Sequence, residues 1–280
     1  DETEIKKIVS YCRAAALKNK LNMSTVGSFG GRGMGQTVGV ADPSQVMKMF
    51  GIDIDSRDTT QLIECAKAFS DEEVKALYPR LEKLFGSLPK EDAVTDRSLR
   101  IYLALKKKMA EWDFDYYTIQ SFPGIGDDYT ATCFAQSLVL DDGIGTSTLG
   151  DFNTLLTTIA LTELSGQPVY YGDLQVLVRE ENEIRIIGDG ACPPSLAGDL
   201  DPAAYAQHGV SYEGKMDGLS VQLTCKPGEG VVARLARMDG EYAMTIARCT
   251  VYEPKPEELQ SKKLECGSPM WPHAFCRIHG

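Results

Sequence analysis

The segments Met23-Ser24-Thr25-Val26-Gly27-Ser28, Gly30-Gly31-Arg32-Gly33-Met34-Gly35, Asp42-Pro43 and Ile52-Asp53-Ile54-Asp55 follow one another, and their order decides the fold class. The outer two have strand composition, and the glycines between them make a flexible turn. Asp42 suits a helix cap, and Pro43 suits the first helical position, where its missing N–H is no loss. Strand, glycine turn, helix and strand is the alternation of a parallel sheet covered on both faces.

The same pattern extends in both directions. Upstream, Ile5, Ile8, Val9, Cys12, Ala15 and Ala16 recur at three-and-four spacing and predict an amphipathic helix over 3–19. Downstream, helical patterns cover 58–69, 71–85 and 95–112. A strand is expected near Tyr116 to Gln120, then helices from Asp128 to Leu140 and from Asp151 to Leu164, the last closed by Ser165-Gly166. Residues 1–172 therefore read as a doubly wound, Rossmann-like α/β domain.

Beyond Gln167 the period shortens. Val169 to Val178, Ile184 to Ile187, Val221 to Thr224, Val231 to Met238 and Tyr242 to Tyr252 are strand-like. Glu181-Asn182-Glu183, Pro227-Gly228 and Asp239-Gly240 are turns, the last a strong hairpin signal. Residues 173–280 are expected to form a smaller antiparallel β domain, a barrel or sandwich. The stretch 253–269, with its prolines and charges, is expected to be irregular surface.

With 280 residues, 43% of them apolar, the chain can bury a sizeable core. No run approaches the roughly 20 apolar residues of a membrane span. The acidic start Asp1-Glu2-Thr3-Glu4 is not that of a signal peptide, so the expected location is cytoplasmic. Eight cysteines are scattered without a C-x-x-C pair and are expected to be buried thiols. A formal charge of −11 repels phosphate backbones, and Lys106-Lys107-Lys108 reads as a solvated helix face, which speaks against nucleic acid as a partner.

Familiar catalytic patterns are missing. Gly31, Gly33 and Gly35 do not give the G-x-G-x-x-G spacing of a dinucleotide site, so the cluster reads as a tight structural turn. No G-x-S-x-G elbow occurs. His208 and His279 have ordinary surface readings. Cys276 follows His273 by three, and on a strand those positions point to opposite faces. His273 itself stands in Met270-Trp271-Pro272-His273-Ala274-Phe275, where aromatic faces could cover the C–H surfaces of a sugar. On the residues alone, a structural histidine and a ligand both stay open.

Four stretches, in order, resemble the L-fucose isomerase family, a relative of the L-arabinose isomerases. They are Trp112-Asp113-Phe114 through Ile119-Gln120, Gly150-Asp151-Phe152-Asn153 through Leu164-Ser165-Gly166, Val232-Ala233-Arg234-Leu235 through Asp239-Gly240-Glu241-Tyr242, and Trp271-Pro272-His273. Residues 1–111 resemble the family's second domain more loosely, and its first, N-terminal domain has no counterpart in this sequence.

The resemblance implies aldose–ketose isomerisation of a sugar through a metal-stabilised ene-diolate, with Mn²⁺ as the cofactor. It implies Asp173 and His273 as metal ligands, Asp173 also as the catalytic carboxylate, and Gln120 and Trp271 against the substrate. The family's third ligand, a glutamate two residues before Asp151, falls on Leu149, which offers no oxygen. Impaired activity is therefore expected. A non-catalytic sugar-binding or regulatory protein, or one part of a split isomerase whose missing domain comes from another chain, are the alternatives. The family's habit of assembly implies a homo-oligomer.

Overall fold

A computed structural model describes residues 1–33, 37, 39–207 and 217–279. Among them, β1 (Thr25–Phe29), β2 (Asp53–Arg57), β3 (Tyr116–Ile119) and β4 (Thr146–Thr148) form a parallel sheet in the order β2-β1-β3-β4. Alternation along the strands gives each face its own core. Val26 and Tyr116 face Val46 of α2 (Pro43–Phe50) and Phe152, Leu155 and Ile159 of α9 (Phe152–Ser165). Phe29, Tyr117 and Ile119 face the other way, toward α3 (Thr59–Lys67), α6 (Ala93–Glu111) and α8 (Cys133–Asp141). Both faces are covered, as the doubly wound reading requires.

Local chemistry sets the helix ends as expected. The Asp42 carboxylate accepts from Gln45 N at 3.2 Å, Pro43 follows it, and Gly51 closes α2 at φ 74°. Asp151 accepts from Thr154 N at 2.9 Å to cap α9, and Gly166 ends it at φ 67°.

A second, antiparallel sheet has the order β5-β6-β11-β10-β9, formed by β5 (Asp173–Val178), β6 (Glu183–Ile187), β9 (Gly228–Met238), β10 (Glu241–Tyr252) and β11 (His273–Ile278). Asp239 and Gly240 turn the β9–β10 hairpin with φ of 51° and 81°, the left-handed pair that a two-residue hairpin favours. The hairpin returns to the first sheet, where Leu235 N donates to Thr157 Oγ1 at 2.9 Å. A small pair, β7 (Ala204–Gln207) and β8 (Leu219–Gln222), completes the described strands. Tyr205 of β7 stacks on Phe85 with ring centroids 4.3 Å apart.

Several expectations need correction. The helix expected over 71–85 is two, α4 (Asp71–Lys75) and α5 (Tyr78–Phe85), with Pro79 in the first turn of the second, a position proline tolerates and a helix interior does not. The helix expected from Asp128 splits into a short turn, α7 (Gly126–Asp128), and α8. The strand expected from Val169 begins at Asp173.

The region 253–269 is not irregular: Pro256–Glu265 is helix α10. Its Lys263 is 2% exposed and reaches Asp201 at 2.8 Å. Arg185 pairs with Glu265, and Lys262 lies 3.6 Å from the fully buried Glu183. Charges that look solvated in the sequence are thus spent in a buried network. Cysteine burial holds for Cys133, Cys192, Cys225, Cys249, Cys266 and Cys276, whereas Cys65 is half-buried and Cys12 is exposed on α1 (Glu2–Leu21), whose Leu21 packs on the core of the first sheet. His279 is exposed, and His208 lies outside the described residues.

Candidate functional site

The connection from β1 to β2 runs to one side of the parallel sheet, and β3 and β4 lie on the other. The order of strands therefore reverses between β1 and β3, and open α/β sheets bind ligands beyond the carboxyl ends of the strands at such a point. Three loops meet there. Gly31 N donates to Gln120 Oε1 at 2.7 Å, Gly33 N to Leu149 O at 2.8 Å and Gly150 N to Ile119 O at 3.1 Å. A Cβ on Gly150 would stand 2.5 Å from Gly31 O, and one on Gly33 would stand 2.9 Å from Leu149 Cα. The glycines are there for close backbone approach, the structural reading of the turn. Met34 and Gly35 of that turn lie outside the described residues.

Leu149 sits on this rim with φ 64°, a left-handed conformation unfavourable for a residue with a Cβ. Its side chain packs on Phe122 and Ala131. Next to it, Asp151 caps α9 and also binds Arg234 from β9 at 3.0 Å.

Asp173, at the start of β5, lies within electrostatic reach of that pair. Burial raises its carboxyl above the ordinary range, the Arg234 cation opposes the rise and the Asp151 charge adds to it. Behind it is a group the sequence reading missed, Asp189. Both of its carboxylate oxygens are buried, and the donors beside them, the Thr148 hydroxyl and the N–H groups of Asp189 and Ala191, lower its pKa but fall short of full hydrogen-bonding geometry. Burial pushes this carboxyl up to about 6; the nearby Thr148 hydroxyl opposes the shift and the Asp173 charge adds to it. The buried Tyr171 hydroxyl likewise makes no well-formed hydrogen bond, and its pKa is raised by burial and then by the Asp189 charge, against the nearby Thr148 hydroxyl. The available signal was Gly188-Asp189-Gly190 directly after the apolar run Ile184 to Ile187, an acid between glycines at a strand end.

The junction thus holds Asp173, Asp189, Tyr171 and Thr148 beside Asp151–Arg234, with Gln120 on the same rim. Gln120 spends its carbonyl oxygen on Gly31. Trp271 is half-buried in the turn leading into β11.

His273 has other company. It stands opposite Ile187 in β6, as Asp173 does from the other side. Yet it is 0% exposed, its Nε2 lies 3.2 Å from Ser268 O, and its Nδ1 is unpartnered among the described residues. Burial first and the Lys263 charge second lower its pKa to about 4. Among the described residues, the charges acting on His273 are Lys263, Asp201 and Arg185, and those acting on Asp173 are Arg234 and Asp151. Cys276 faces the opposite side of β11, as its spacing predicts.

Manganese needs several oxygen and nitrogen donors converging on one point. Among the described residues, no three or more His, Cys, Asp or Glu side chains are placed to hold a metal ion. With Leu149 apolar on the rim, the residues present do not fit the ion. Two open surface depressions, of about 390 and 260 Å³, are lined by other residues, chiefly of α4, α6 and the α6–β3 turn.

No family model matches the chain. Its similarity to named proteins lies with sugar isomerases. It is 26% identical over 297 aligned positions to the sulfoquinovose isomerase of Clostridium sp. (strain MSTE9), covering 100% of this chain and 65% of that protein. It is 23% identical to the sulfoquinovose isomerase of Alkalicoccus urumqiensis, over 95% of this chain and 60% of the relative. It is 21% identical to the L-arabinose isomerase of Salmonella arizonae, over 95% of this chain and 54% of the relative. The chain therefore spans less than two thirds of the length of these relatives. They are sulfoquinovose and L-arabinose enzymes, so the wider sugar isomerase kinship holds at low identity, without pointing to L-fucose. No helix of the described residues is long and apolar enough to cross a membrane.

Proposed function

We propose that this chain carries the sugar-binding junction of an aldose–ketose isomerase, with Asp173 and Asp189 as the carboxyl pair that moves the proton. The observation that carries the reading is Asp189, a buried carboxyl whose oxygens make no well-formed hydrogen bond although the Thr148 hydroxyl and Ala191 N–H lie near, placed behind Asp173 where the parallel sheet's ligand edge meets the second sheet. Buried polar groups are nearly always satisfied, and a sugar hydroxyl would supply the missing donor.

The reaction needs a base to take the C2 proton while the C1 carbonyl oxygen gains one, giving an ene-diol. The proton then returns to C1 as the C2 hydroxyl gives up its own. Two carboxyl groups in unlike settings suit that exchange, because the more deeply buried one holds a proton to higher pH and can give it while the other takes one. Gln120, with its carbonyl held by Gly31, would present its amide nitrogen to a sugar hydroxyl, and Trp271 would cover an apolar sugar face. The relatives' names suggest sulfoquinovose or L-arabinose as substrate class. The reading assigns this chain the junction site rather than the whole activity of its longer relatives.

Leu149 favours a second reading, a sugar-binding protein without turnover. Incubation of the protein with sulfoquinovose, L-arabinose and L-fucose in D₂O, with and without Mn²⁺, followed by proton NMR, separates the two. Deuterium at C1 or C2, lost in Asp189→Asn, supports the isomerase. Calorimetric binding without exchange supports the second reading, and neither binding nor exchange sinks both.

A further inference from the structure

Cys192, Cys225, Cys249 and Cys276 lie in one buried cluster, and all four are free thiols. Strand register brings two of them together. Cys249 of β10 stands opposite Ile278 of β11, and Cys276 of β11 stands opposite Val251 of β10. His279 N donates to Arg248 O at 2.9 Å, so the rungs of Cys249 and Cys276 are both of the non-hydrogen-bonded kind, in which side chains approach most closely. The two thiols are diagonal neighbours on one face of the sheet, and each is the other's hydrogen-bond partner.

A cysteine that responds to peroxide needs access, thiolate character and a second thiol beside it. Access comes from the sheet edge. β9 is the outer strand next to β10, and the residue on it opposite Cys249 is Gly230. A Cβ at Gly230 would stand 3.4 Å from Cys249 Sγ, so the glycine leaves bare the side of the thiol that looks toward the edge, where Gly228 and Glu229 are exposed. The hydrogen bond from Cys276 holds the Cys249 thiol below its ordinary pKa, and the same bond, followed by burial, raises that of Cys276. Cys192 and Cys225 also pair, but burial pushes the Cys192 thiol well up.

We propose that Cys249 and Cys276 are a site of reversible oxidation, joined as a disulfide by hydrogen peroxide that reaches Cys249 past Gly230. The Cys249 thiolate attacks one peroxide oxygen, the O–O bond breaks, and the departing hydroxide takes up the thiol's proton as water. Cys249 is then a sulfenic acid. The Cys276 sulfur attacks the Cys249 sulfur, the S–O bond breaks as the S–S bond forms, and the hydroxyl leaves with the Cys276 proton as a second water. Two thiols are oxidised and one peroxide is reduced, with no further reactant. The bond would tie β10 to β11 at both ends of the segment that carries α10, the helix over His273.

The test treats the intact folded chain with millimolar hydrogen peroxide, caps the remaining thiols with N-ethylmaleimide and maps the peptides by mass spectrometry without reduction. Exposed Cys12 serves as the measure of dose. A linked Cys249–Cys276 peptide, lighter by two hydrogens and reopened by dithiothreitol, should appear while Cys192 and Cys225 are still free. In Cys276→Ser, Cys249 should stop at the sulfenic acid and take up dimedone. Gly230→Ala narrows the route at a backbone conformation open to any residue and should slow the linking severalfold, with the parent's circular dichroism retained. Cys249 and Cys276 both free once Cys12 is fully oxidised, a link that forms only in guanidinium, or linking unchanged in Gly230→Ala would each overturn the proposal.

Discussion

Asp173 and His273 stand opposite the same residue, Ile187, on the two sides of β6, yet their settings have little in common. Asp173 begins an outer strand of the second sheet, beside the Asp151–Arg234 pair and in front of Asp189. His273 begins an inner strand and is sealed under α10 with Lys263, Asp201 and Ser268. Register places residues side by side; what packs on the sheet decides their chemistry. The Asp173 end has a buried acid without a well-formed hydrogen bond and suits a ligand. The His273 end is closed by ion pairs and suits stability.

The largest effect should come from the closed end. Lys263→Met leaves Asp201 with Thr224 as its remaining close donor. Removing one member of a buried pair costs about 3–5 kcal/mol, to be read from urea unfolding. Proton exchange at the junction should survive in the folded fraction. A loss below about 1 kcal/mol would mean that α10 is not held by charge.

The two ends should also respond to pH in opposite senses. Asp189 has its pKa raised from 3.8 to about 6, so the folded state binds more protons in that window and stability falls as pH rises through it. His273 has its pKa lowered from 6.5 to about 4, so the unfolded state binds more protons and stability rises with pH over 4 to 6.5. Each effect amounts to about 3 kcal/mol at most, and in the parent protein they largely offset one another. Melting curves between pH 4 and 6.5 should steepen upward in Asp189→Asn and slope downward in His273→Asn. Identical slopes in the two variants would erase the contrast.

Leu149→Glu adds a carboxylate to the rim beside Asp151, at a backbone conformation no worse for Glu than for Leu. Mn²⁺ affinity by calorimetry should rise about tenfold, equivalent to about 1.4 kcal/mol. An unchanged affinity would break the resemblance at this rim. The smallest effect is expected for Arg234→Gln. Its pair with Asp151 is partly solvated, with side chains 42% and 14% exposed, so stability should drop by about 1 kcal/mol or less, while the Asp173 carboxyl should titrate at higher pH by carbon-detected NMR.

What could be read early were signals confined to a few residues. Asp42-Pro43, Asp151, Gly166 and Asp239-Gly240 act on their own backbone within a turn, and each stands where the spacing puts it. Strand β4 escaped because Thr146-Ser147-Thr148 has no apolar alternation; it is held between β3 and α9 by position in the sheet. Helix α10 escaped because its charges are paired with Asp201, Glu183 and Arg185, which are distant in the chain. Asp173 and Gln120 were named from the resemblance; Asp173 lies near Arg234 and Asp151, and Gln120 is bound to Gly31. Asp189 was not named, because its burial is created by residues from several elements.

Composition and local pattern were enough for a parallel sheet covered on both faces, an antiparallel half after it, and the caps and turns that punctuate them. These depend on interactions spanning a few residues, and the order of residue types encodes them directly. Which carboxyl lies buried and which histidine is sealed away depended on packing between segments tens to hundreds of residues apart. Burial is a property of neighbours in space, and it is burial that moves a pKa or hides an imidazole.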